Sequence, residues 1–156
     1  MMIHGIPRLV FVLLSLTLAY GCALDPVNRN TETKSSLAAA LAQTLVGKPY
    51  RYGGNNPQGF DCSGLVQYSY SLAGVDLPHG TSHLRRLSRP ISQSQLQRGD
   101  ILFFNQEGKK SSHVALYLGD DRFIHSPSSG KNVYIASFTD TYWRQHFTEA
   151  RRLNLE

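Results

Sequence analysis

Cysteine is nearly absent from this chain: Cys22 and Cys62 are the two in 156 residues. Two are too few for a disulfide-stapled scaffold or a four-cysteine zinc module. Long apolar runs are missing as well. The longest, Leu9 to Ala19, is about eleven residues, whereas a membrane-spanning helix needs about 20. No basic run interleaved with aromatics occurs, and the formal charge of +5 is scattered along the chain, so nothing directs the protein to nucleic acid. Internal repeats and low-complexity tracts are also lacking. What is present is ordinary: 41% hydrophobic residues, enough for one packed domain and too many for wholesale disorder.

The N-terminus combines Arg8 with that short apolar run, the layout of a secretory signal peptide. Leu18-Ala19-Tyr20-Gly21-Cys22 resembles a bacterial lipobox, which makes residues 1–21 the signal peptide and Cys22 the lipidated mature N-terminus. Several acyl chains on one cysteine suffice for stable anchoring. Ala23, rather than Asp, follows the anchor, which by the lipoprotein sorting rule points to the outer membrane of a Gram-negative cell, facing the periplasm. Cleavage after Ala23 is the alternative and would release a soluble periplasmic or secreted protein. Residues 22–34 are polar and read as a tether.

From residue 35 the chain reads as one domain. Ser35 or Ser36 is placed to cap a helix with Leu37, Leu41 and Leu45 as its core stripe, ended by Gly47 and Pro49. Asp61 is the N-cap of a second helix. Phe60 and Leu65 are spaced as a hydrophobic staple, with Leu65, Val66, Ser69, Leu72 and Ala73 facing the core and Gly74 as the stop. A short helix is expected over 81–87. From Ile101 the period changes to two, with strands at 101–104, 113–118, 122–125, 133–137 and 150–153 and a short helix at 142–147. Gly119-Asp120-Asp121 turns the second strand into the third. Helices followed by antiparallel strands give an α+β fold.

Cys62 falls in the first turn of its helix, where unpaired backbone N–H groups and the positive dipole end favour a thiolate. It is a candidate nucleophile, and a small buried hydrophobe is the plainer alternative. His113 shares a strand face with Ala115 and Tyr117, opposite Val114, Leu116 and Leu118. His125 ends the neighbouring strand, close enough for the two imidazoles to meet. One can serve as base for Cys62 and the other orient it. That pairing is expected to rest as thiolate and imidazolium. His79, His83 and His146 read as surface or capping residues. Cys62, His113 and His125 are also chemically competent metal ligands, but a fourth ligand and a His-Glu-x-x-His motif are missing, so no metal or other cofactor is expected.

Pro49–Leu65 (PYRYGGNNPQGFDCSGL), Arg98–Phe104 (RGDILFF), His113–Gly119 (HVALYLG) and Phe123–His125 (FIH) together resemble the NlpC family, papain-like bacterial peptidases that cut peptidoglycan peptides. The resemblance covers residues 35–156. It implies a papain-like fold with N-terminal helices packed on an antiparallel sheet, and a thiol peptidase acting on murein stem peptides or cross-links. The amide would be D-Ala–diaminopimelate or γ-D-Glu–diaminopimelate. It further implies Cys62 as nucleophile, His113 as base, His125 as orienter and Tyr50 near the oxyanion hole. By the same resemblance Asp61 and Ser63 bind substrate. A papain-like amidase or acyltransferase, or a non-catalytic envelope-binding lipoprotein, is the alternative. The expected partners are stem peptides and, through Cys22, the membrane, with the protein a monomer. Two departures stand out. Ala115 replaces a frequent Gly on the His113 face and is expected to narrow the cleft, and His79-Gly80 follow Leu77-Pro78 where many relatives carry Arg.

Overall fold

In the computed structural model, residues 33–106, 108–128 and 130–155 are described. The expected signal peptide, the expected anchor Cys22 and the expected tether up to residue 32 lie outside them. The first helix begins slightly earlier than expected. Thr33, not Ser35 or Ser36, caps α1 (Lys34–Gln43), its hydroxyl accepting the Ser36 N–H at 3.1 Å. The buried stripe is also rotated from the Leu37/Leu41 line: Ala38, Ala39 and Ala42 are fully buried, with Leu45 beyond the helix end. Small side chains let α1 approach its neighbours closely, and Leu37 is turned to the surface.

A two-strand ribbon, β1 (Asn55–Asn56) with β2 (Gly59–Phe60), leads into α2 (Cys62–Leu72). Asp61 caps α2 as expected, accepting the Gly64 N–H at 2.7 Å, and Phe60 and Leu65 are both fully buried. Leu72 is the exception on that helix. It is half exposed, and Tyr70 takes the core position, donating its hydroxyl to the Gly99 carbonyl at 2.7 Å. Next come α3 (Thr81–Arg86) and β3 (Ser88–Ile91), a strand that the pattern left unmarked because Arg89 and Pro90 break its apolar alternation.

The remaining strands are β4 (Ile101–Gln106), β5 (Lys109–Gly119), β6 (Arg122–His125), β7 (Tyr134–Ser137) and β8 (Phe147–Leu153), with α4 (Thr141–His146) between the last two. With β3 they form one antiparallel sheet in the order β3-β8-β4-β5-β6-β7. Pleat alternation splits the core into two layers. Ile101, Phe103, Val114, Leu116 and Leu118 pack with α1 and α2. Leu102, Phe104, Ala115, Phe123 and Trp143 form the second layer, with Phe138 and Ala150. The β5–β6 turn is tight: Asp120 and Asp121 have φ of 52° and 56°, the left-handed pair of a two-residue hairpin.

The Arg98–Asp100 segment of the resemblance is scaffolding. Asp100 is buried and accepts Arg152 through both oxygens, at 2.7 and 2.8 Å, while Arg98 donates to the Leu118 carbonyl and to Gln43. These bonds join the β4 entry to β8, β5 and α1.

Candidate active site

Cys62 is the first residue of α2, and the Asp61 carboxylate organises the chain around it. One Asp61 oxygen accepts the Gly64 N–H and, at 3.0 Å, the Ser63 hydroxyl. The other accepts the Gly53 N–H at 3.1 Å. His79 then donates its Nε2–H to both oxygens, at 2.8 and 2.9 Å. His79 is therefore not the surface residue that its polar neighbourhood suggested. It ties the loop before α3 to the helix start that carries the thiol. Sequence distance hid this pairing, although the His in place of Arg marked the position. His83 and His146 do cap, each donating Nδ1–H to a carbonyl four residues earlier, of His79 and Tyr142.

The two sheet histidines meet. His113 Nε2 and His125 Nδ1 are 2.8 Å apart, with His113 2% exposed and His125 fully buried. His113 lies within β5 rather than at its start, because the strand continues back to Lys109 over polar residues. An aromatic cage surrounds the pair. Trp143 stacks on His113 with centroids 6.0 Å apart and meets His125 edge-on at 4.6 Å; Tyr134 meets His125 at 4.4 Å. His125 Nε2 is buried and has no hydrogen-bond partner among the described residues.

Cys62 and His113 line one cavity of about 410 Å³, together with Tyr50, Tyr52, Asp61 and Ser63. Cys62, His113, Tyr50, Asp61 and Ser63 thus converge there, and His125 stands behind His113. Ala115 does not line that cavity; it is fully buried in the second core layer, so its methyl does not narrow the cleft.

Electrostatics depart from the expected resting ion pair. Burial pushes the Cys62 thiol up to about 11, reinforced by the negative charge of Asp61. The backbone N–H groups of Val114, Ser63 and Cys62 pull the other way without overcoming it. Burial takes His113 down to about 4, and His125 to about 2 with help from the charges of His113 and Lys131. Desolvation here outweighs the helix terminus, and the pair rests as thiol and neutral imidazole. The arrangement offers a nucleophile, a base and a group that fixes the base's tautomer. Among the described residues no three His, Cys, Asp or Glu side chains cluster as a metal site.

Comparison with known proteins places the chain in a family. A model of the NlpC/P60 family matches residues 47–152. The murein DD-endopeptidase MepH of Escherichia coli K12 is 36% identical over 140 residues, covering 86% of this chain and 52% of that protein. A probable endopeptidase, the NlpC homolog of Haemophilus influenzae, is 38% identical over 116 residues, covering 74% of this chain and 61% of its own. The chain thus spans between half and two-thirds of the length of these relatives. A crystal structure of a lipoprotein-like NLP/P60 family protein from Staphylococcus aureus Mu50 superposes with a TM-score of 0.69 at 32% identity, over 79% of this chain and 42% of that one. With the family's sequence blocks carried on its α+β, papain-like fold, the chain belongs to the NlpC/P60 family.

Proposed function

We propose that the protein is a peptidoglycan endopeptidase that hydrolyses stem-peptide or cross-link amides through Cys62, His113 and His125. The observation that carries this reading is the 2.8 Å His113–His125 hydrogen bond beside the cavity that holds Cys62. With His113 Nε2–H donating to His125 Nδ1, the His113 nitrogen left with a lone pair is Nδ1. That nitrogen takes the thiol proton as sulfur attacks the substrate carbonyl. The Cys62 N–H and the Tyr50 hydroxyl stabilise the oxyanion. His113 returns the proton to the leaving amine, and water then attacks the thioester to release the acid. Asp61 and Ser63 border the acyl side.

Support for murein as substrate comes from the Escherichia coli relative, named as a murein DD-endopeptidase, and the proposed substrate amide is D-Ala–diaminopimelate or γ-D-Glu–diaminopimelate. Purified sacculi incubated with the protein, and the soluble muropeptides separated by mass, decide between the two. Cys62→Ala is expected to lose on the order of 10⁶ in rate, as when one member of a catalytic unit is removed. Near-normal release by that variant would overturn the mechanism; transferred acyl groups in place of free acids would make the protein an acyltransferase.

The lipobox-like stretch supports a lipid anchor at Cys22 and an outer-membrane position facing the periplasm. Intact mass of the membrane-extracted protein should show acylation, lost in Cys22→Ala. An unmodified mass with cleavage after Ala23 would place the protein in solution.

A further inference from the structure

Beside the catalytic cavity lies a second one of about 320 Å³, and the two share Gln106, Pro127 and Ser128 as a common wall. The second is further lined by Lys131, Tyr134, Asp140, Tyr142 and Trp143. Tyr134 and Trp143 are the rings that cage His125, so one layer of aromatic side chains separates this compartment from the histidine pair.

Lys131 is held in place by its backbone. Its carbonyl accepts the Tyr50 N–H at 2.9 Å, and Pro49 pairs with Asn132 next to it. The Lys131 ammonium has no ion-pair partner among the described residues, yet its charge is felt at His125. One Asp140 carboxylate oxygen accepts the Tyr142 N–H at 2.8 Å, as the cap of α4. A lone cation with a neighbouring acid suits one carboxylate and disfavours a phosphate or polyanion.

We propose that this compartment is a specificity subsite for a peptide residue carrying a free carboxylate, with Lys131 as its counter-ion. The inference rests on the peptidase reading and deepens it. An amide held at Cys62 continues as peptide at about 3.4 Å per residue, so a residue flanking the scissile bond enters over the shared wall. Tyr134 and Tyr142 offer hydroxyls and ring faces to its remaining atoms.

The test uses paired soluble muropeptides, identical except that the residues flanking the cleaved amide carry a free carboxylate or a carboxamide. Wild type is expected to favour the carboxylate form by about tenfold in kcat/KM, the size of a partly desolvated charge pair. Lys131→Met should bring the ratio near one, and Lys131→Arg should keep it. Calorimetry of both peptides with the Cys62→Ala protein should give the same order in Kd. An equal ratio in wild type and Lys131→Met overturns the subsite. If wild type cleaves neither peptide, the peptidase reading falls; calorimetry then decides the subsite, and equal or absent binding of the two forms overturns it.

Discussion

Gly64 passes the carbonyl of Gly54 so closely that a Cβ on it would stand 1.9 Å from the oxygen. The same carbonyl accepts the Asp61 N–H at 2.9 Å. Between them these contacts set the height of Cys62 against the loop that carries Tyr50 and Gly53. The obstructing atom is backbone and cannot swing aside. Gly64→Ala is expected to cost about 3 kcal/mol, the upper end for overpacking a tight site, and to lower activity further by lifting α2. Urea unfolding checks it, and an unchanged midpoint would show that the loop yields.

His125 is expected to act through His113. Asn at 125 can still accept a hydrogen bond from His113 Nε2–H through its carbonyl oxygen, and Ala cannot. The expected order of kcat/KM is wild type, His125→Asn, His125→Ala, then His113→Ala, with Asn about tenfold above Ala, or about 1.4 kcal/mol. Circular dichroism should show equal folding. Asn and Ala equally inactive, and as inactive as His113→Ala, would give His125 chemistry of its own.

The resting protonation state makes the pH profile diagnostic. The active pair holds one proton between thiol and imidazole. It gains a second below the His113 value of about 4 and loses its one above the Cys62 value of about 11. kcat/KM is therefore expected to stay level across the neutral range, with its acid limb near the first value and its alkaline limb near the second. Iodoacetamide labelling of Cys62 should still be rising well above neutral pH. Labelling already at its plateau at pH 7 would mean a preformed thiolate.

Both histidines are buried uncharged, and this links stability to pH. An unfolded chain titrates His113 at 6.5 and the folded one at about 4. Between those values the unfolded state binds more protons. Stability is fully present above 6.5 and falls as pH drops toward 4, by about 3 kcal/mol from His113 alone. His125 acts with the same sign. Urea midpoints that are flat between these pH values would show that the pair opens to water before it protonates.

Much of the site was legible in the chain because its signals are local. An N-cap is a contact between residues three apart, so Asp61 and the placement of Cys62 followed from spacing. The two-residue period put Ala115 and Tyr117 on the His113 face, and the short β5–β6 turn brought His125 alongside. What tertiary structure decided involves residues distant in sequence. His79 reaches Asp61 across 18 positions, and Trp143 from α4 closes over both imidazoles. The side of α1 that faces inward was set by how closely α2 packs, which favoured alanines over leucines. The resting charge of Cys62 went the same way. Sequence supplied the helix terminus that favours a thiolate, and only the depth of burial showed that desolvation is the larger effect.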